Sequence, residues 1–170
     1  MPRTVILIVL VITFTACVGV PGCIHWPDAP RLEAVSPTDA VKARLTKEAA
    51  GAKIITPIYR FMTDTRSGYV VSSQTFVYVD ANNQAHRAEI DDKGNLTDQP
   101  VTLVDALPTE VHRRFFTDAS GKATEGKLAG QVWLLGDAAQ TYEFEYQSGD
   151  ERGLGRISAR GPVLSRQVIR

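Results

Sequence analysis

The chain has 170 residues, carries 19 Lys+Arg against 19 Asp+Glu, and is 44% hydrophobic. That composition suits one compact domain or two very small ones, and a net charge near zero gives no electrostatic footprint for nucleic acid. Two cysteines, both within the first 23 residues, are too few for a disulfide framework.

Residues 1–23 read as an export segment. Arg3 sits beside the N-terminal amine, and the twelve residues from Val5 to Ala16 carry no charge. As a helix that stretch spans roughly 18 Å, too short for a hydrocarbon core ~30 Å thick. A charged start, a short apolar run and small residues after it are the parts of a secretory signal. Phe14-Thr15-Ala16-Cys17 and Val20-Pro21-Gly22-Cys23 each resemble the lipobox of bacterial lipoproteins, in which the Cys is acylated and becomes the new N-terminus. The resemblance implies a lipid at Cys17 or Cys23. Phe14 departs from the usual Leu at one site and Pro21 from the usual small residue at the other. Pattern fit favours Cys17, whereas cleavage before Cys23 leaves no stray thiol in an oxidising compartment. Plain secretion, with cleavage after Ala16 or Gly22, is the alternative. Residues 24–36, with Pro27 and Pro30, read as a stiffened tether.

Residues 37–104 read as a first unit of one helix and several strands. Ser36 as cap, Pro37 at the first helical position and Asp39 closing a capping box predict a helix through Gly51. Val41, Leu45 and Ala49 recur on one face of it. The run Lys53 to Thr63 is β-rich but holds Pro57, which confines it to an edge or a bulge. Gly68 to Val79 alternates as a strand, Ala85 to Ile90 returns, and Leu96 to Val104 leaves. Asp80-Ala81-Asn82-Asn83 and Asp92-Lys93-Gly94-Asn95 read as turns.

Residues 105–170 repeat the scheme. Leu107-Pro108-Thr109-Glu110 opens a second helix that is expected to stop at Gly121. A shift of 70 residues matches Val41 with Val111, Arg44 with Arg114 and Gly51 with Gly121, and places Leu45 opposite Phe115. Further on, Gln74-Thr75-Phe76 matches Gln140-Thr141-Tyr142, and Ile90…Gly94 matches Ile157…Gly161. The expected class is α+β: two tandem units, each one helix packed on a three- to four-stranded antiparallel meander.

Leu107-Pro108-Thr109-Glu110-Val111 followed by Phe115, then Tyr142-Glu143-Phe144, then Ile157…Gly161…Leu164 resemble the PepSY-like family. The resemblance covers residues 106–169, and reaches the first unit only through the internal match, because Ser36 stands where the family has Leu. It implies protein binding in the envelope or regulation of a peptidase, so the expected partner is an envelope protein or a peptidase. These motifs specify a helix cap and a core, and so speak for fold more than function.

Residues with reactive side chains form no recognisable constellation. His25, His86 and His112 lack metal-ligand spacing, and no Cys lies in the folded part to join them. No Gly-x-Ser-x-Gly elbow or phosphate-cradling loop occurs. Glu143 and Glu145 alternate on one strand, pointing to solvent if Tyr142, Phe144 and Tyr146 face the core. From Glu151 onward the chain is rich in Arg. Arg152, Arg156, Arg160 and Arg166 read either as a face for an anionic partner or as a solvated face protecting an edge. The expectation is an exported, lipid-anchored, non-catalytic protein-binding module of the bacterial envelope, without metal or cofactor. A structural or assembly subunit is the alternative. An unrecognised hydrolase, built around His86 or His112, is the third reading.

Overall fold

The computed structural model describes residues 31–65, 68–118, 120–138 and 140–170. Cys17, Cys23, His25 and the first part of the expected tether lie outside the described residues. The elements in chain order are β1 (Arg31–Val35), α1 (Asp39–Glu48), β2 (Lys53–Ile54), β3 (Ile58–Thr65), β4 (Gly68–Val79), β5 (Ala85–Asp91) and β6 (Leu96–Val104). They continue with α2 (Thr109–Phe115), β7 (Lys127–Leu135), β8 (Thr141–Ser148), β9 (Glu151–Ser158) and β10 (Val163–Val168).

One sheet runs through all of it, in the order β1-β3-β4-β5-β6-β7-β8-β9-β10, with β2 paired to β4 off that path. Every pairing between these strands is antiparallel, but the two ends of the sheet meet in parallel. Leu32 bridges Ile169, and the Arg170 amide donates to the Leu32 carbonyl at 2.8 Å. The result is a nearly closed barrel. This corrects the α+β expectation: there are not two units each made of a helix on its own meander. Strand β6 is the reason. Its first half, Leu96 to Pro100, pairs with β5, and its second half, Val101 to Val104, pairs with β7. The sheet therefore carries on past residue 104, where the sequence suggested a junction. Residues 31–35, expected in the tether, are the strand that closes it.

The helices lie on the outside of this sheet. Helix α1 starts two residues later than expected: Thr38, not Ser36, is the cap and accepts from the Val41 amide through Oγ1 at 3.4 Å. Val41 and Leu45 are buried against Ile58, Phe76, Tyr78, Ala88 and Ile90, each worth about 1.5–3 kcal/mol when fully removed from water. Helix α2 is only seven residues long and has no side-chain cap. Gly121 does not end it; the chain leaves at Phe116, and Gly121 (φ +82°) belongs to the next turn. Val111 and Phe115 pack with Val132, Phe144, Tyr146 and Ile157. The matched pairs Val41/Val111 and Leu45/Phe115 are thus all buried, each under its own half of the sheet. Pro57 splits the expected Lys53–Thr63 strand into β2 and β3, as its missing amide requires.

A Cβ on Gly155 would sit 2.5 Å from Phe115 Cζ, so the bare backbone of β9 is what lets α2 approach. The helix is also held at its C-terminal turn. Arg114 donates to the carbonyls of Ala159 (2.6 Å) and Gly161, in the turn after β9. Arg166, from β10, donates to the Phe115 carbonyl at the helix C-terminus and lies over the Phe115 ring, where a cation complements the exposed carbonyls.

Inside the barrel, Leu32, Tyr59, Val77, Ala85, Val101, Trp133, Leu135 and Leu154 form one cluster. Seven strands contribute to it, so the lumen is packed with side chains.

Candidate functional site: the charged layer inside the barrel

Beside the apolar cluster the lumen holds charge. On β8 the outward residues Phe144 and Tyr146 lie under α2, and the intervening Glu143 and Glu145 point into the barrel. They are 0% and 2% exposed. The expectation of solvent-facing glutamates is therefore corrected. The premise that the aromatic residues face a core holds, but the strand is buried on both faces, so the opposite side is also interior.

Each glutamate has one partner from the neighbouring strand β9 and one from across the lumen. Glu143 Oε1 accepts from Arg87 Nε on β5 at 3.1 Å, and its Oε2 lies 3.1 Å from Arg156 Nε on β9. Arg87 also reaches Glu89 at 3.3 Å. Glu145 Oε1 accepts from the Tyr59 hydroxyl on β3 at 2.5 Å, and its Oε2 accepts from Arg152 on β9 through Nε (3.0 Å) and Nη2. Burial, and then the bond to Glu145, push the Tyr59 hydroxyl far above the usual tyrosine range. Glu145 and its bond to Arg152 hold that guanidinium above its ordinary value. Three arginines face three glutamates, so the layer is neutral overall. Single charges buried here would be costly, and pairing with hydrogen bonds removes most of that cost.

These residues include two of the four arginines singled out in the sequence. Arg152 and Arg156 have their guanidinium groups on the buried glutamates. Arg166 is on the carbonyls of α2. Arg160 is exposed in the turn after β9, beside an open depression lined by Asp137, Ala138, Gln140 and Ser158. The structure brings Arg152 and Arg156 together on one side of β9 and places Arg160 and Arg166 elsewhere. Arg87 and Tyr59 were missed. Their signal was weak: Arg87 alternates between Ala85 and Glu89 in a strand whose other face carries His86, Ala88 and Ile90, a pattern that reads as ordinary surface.

The histidines take separate positions. His86 stacks on Tyr78, with ring centroids 5.1 Å apart. Its Nδ1 is 3.1 Å from Asp98 Oδ2, the same oxygen that accepts the Tyr78 hydroxyl at 2.6 Å. Burial raises the Tyr78 hydroxyl above its ordinary range, and the bond to Asp98 adds to it. The other ring nitrogen of His86, Nε2, lies 3.6 Å from Asp80 Oδ2, so both sides of the imidazole face carboxylates, and no Ser, Thr or Cys among the described residues is bonded to it as a nucleophile would be. His112 packs against Phe116 at 4.6 Å. No group of three or more His, Cys, Asp or Glu among the described residues is placed to hold a metal.

Three turns share one device. Asp80, Asp91 and Asp118 each accept, through Oδ1, from the amides two and four residues later. The first two are the turns expected from the sequence. In comparisons with known proteins, no family model, no curated protein and no solved structure matches the chain.

Proposed function

We propose that this is an exported protein, anchored by a lipid at Cys17 or Cys23, whose barrel is a non-catalytic module binding a protein of the bacterial envelope. The observation that carries the export and anchor is the N-terminal sequence: a cationic start at Arg3, an apolar stretch from Val5, and two small-residue–Cys sites after it. The non-catalytic reading is supported by the charged layer. Glu143 and Glu145 are the buried carboxylates among the described residues, and both are committed to arginine or tyrosine partners inside a packed lumen. A general acid or base must instead reach a substrate proton.

The test is the intact mass of the protein extracted from membranes, joined to affinity capture from envelope extract. A mass that begins at Cys17 or Cys23 and carries acyl chains is expected, with one protein recovered reproducibly and lost on competition with untagged chain. An unmodified, freely soluble product would overturn the anchor. Turnover of peptide, ester or glycoside substrates by the pure protein would overturn the non-catalytic reading.

A further inference from the structure

We propose that the groove between α1 and β2 is a docking site for an extended, acidic stretch of the protein partner, added as a strand beside Ile54. This deepens the protein-binding reading and rests on it. The groove measures about 360 Å³, and its lining includes Pro37, Lys42, Leu45, Ala52, Lys53 and Ile54. That is the small end of the range for binding sites, ~300–1,000 Å³, so it suits a few residues of chain and not a folded surface.

The register shows what the groove offers to a peptide. Among the described residues, β2 pairs with β4 alone, Lys53 level with Val79 and Ile54 level with Tyr78. The next amide, of Ile55, donates to the Val77 carbonyl at 2.9 Å. Antiparallel pairs alternate between bonded and unbonded, so Ile54 and Tyr78 exchange no hydrogen bond. The Ile54 N–H and C=O therefore point away from β4. No backbone partner for either is found among the described residues. Unpaired groups on a sheet edge are a template for another strand, and a peptide laid there gains main-chain bonds, as in β-augmentation. An acyl chain could use neither group.

The walls add charge and apolar contact. Lys42, on α1, has only the exposed Asp39 beside it, at 3.4 Å. Lys53, on β2, is exposed and enters no ion pair among the described residues. No acidic side chain among the described residues lines the groove, so its fixed charge is positive and complements carboxylates. Leu45, Ala52 and Ile54 belong to the apolar cluster under α1. They give a surface to the apolar side chains of a strand in which apolar and acidic residues alternate.

The experiment uses the full chain, purified from bacterial membranes, isotope-labelled and held in lipid nanodiscs. The probe is a blocked five-residue peptide alternating valine with glutamate; its counterpart has lysine in place of glutamate. The expected result is saturable amide shifts at Leu45, Ala52 and Ile54 with the acidic peptide only, and slower hydrogen exchange at Ile54. Lys42→Glu combined with Lys53→Glu should weaken binding several-fold, whereas Lys93→Glu, in the exposed β5–β6 turn, should not. Far-UV circular dichroism checks that both variants fold as the parent does, and the peptide comparison on the parent needs neither. Equal shifts with the lysine peptide, or shifts confined to other strands, would overturn the inference. Protection of the Ile54 amide before peptide is added means that lipid or the chain itself fills the groove, and overturns it too. Affinity capture from envelope extract separates the inference from the reading beneath it. A double variant that recovers the same partner as the parent removes the groove and leaves protein binding. A parent that recovers none removes both.

Discussion

The Tyr59 hydroxyl donates to Glu145 Oε1 at 2.5 Å across 86 positions of sequence. Their strands, β3 and β8, are not neighbours in the sheet; β4, β5, β6 and β7 lie between them. The bond therefore crosses the lumen and ties the first half of the chain to the second. Glu143 makes a second such tie, to Arg87 on β5.

Removing the hydroxyl should weaken both halves together. Tyr59→Phe is expected to cost about 1.5–3 kcal/mol, the range for hydrogen bonds to charged groups. Urea denaturation should show one lowered transition. Two separated transitions would mean that the halves unfold independently and that the cross-lumen bond does not couple them.

Glu143→Ala should cost more than Tyr59→Phe. It leaves Arg87, whose side chain is 14% exposed, and Arg156 without their shared carboxylate. A broken buried pair costs about 3–5 kcal/mol, and the lower part of that range is expected because Arg156 reaches solvent. By contrast Arg113→Ala removes a surface pair with Glu110 and should leave the urea midpoint unchanged. Equal losses from the two substitutions would contradict the importance given to the lumen.

Gly155→Ala places a methyl group against Phe115. Overpacking of this kind costs about 1–3 kcal/mol, and the near-UV signal of the aromatic cluster should change with it. Combining it with Phe115→Leu should recover part of the loss. If the double variant is less stable than the sum of the single ones, the clash is not the cause.

Stability should fall at both extremes of pH. Asp80, Asp91 and Asp118 are held below the ordinary aspartate range by their turn hydrogen bonds, led by the Gln84 amide, the Asn95 side chain and the Ser120 side chain respectively. Carboxyls lowered in the folded state stabilise it above their unfolded value of 3.8, and that contribution is lost as pH falls through the lower folded values. Tyr59 and Tyr78 are raised, chiefly by burial. Their contribution is complete below the unfolded value of 10.0 and is lost as pH rises beyond it. Thermal melts should thus show a plateau near neutrality. Tyr59→Phe should flatten the alkaline side, and Asp91→Asn the acid side.

Local structure was legible in the sequence where one residue type settles the backbone. Gly68–Val79 and Leu96–Val104 were read with their observed ends, and the Asp80 and Asp91 turns followed from Asn, Asp and Gly; Pro57, expected at an edge or a bulge, instead separates β2 from β3, and β3 is flanked on both sides. The closure of the sheet was not legible, because nothing in the alternation of β6 says that its two halves have different neighbours. The charged layer was hidden for a related reason. Alternation tells which residues share a face, but not whether the second face meets water or the inside of a barrel. Glu143 and Glu145 were therefore read as surface, and Arg87 drew no notice. The length of α2 was also misjudged: Phe116 and Thr117 suit a helix, but the Asp118 side chain collects the amides of Ser120 and Lys122 and turns the chain instead.

The contact of Leu32 with Ile169 joins the first described strand to the last. A pull applied at Arg31 along the axis of β1 enters that strand first. Its five paired residues on β3 are then loaded in shear and must yield together, whereas a tug at right angles would unzip them one by one. Were the protein anchored as proposed, the strand that keeps the barrel shut would be the first to bear the load.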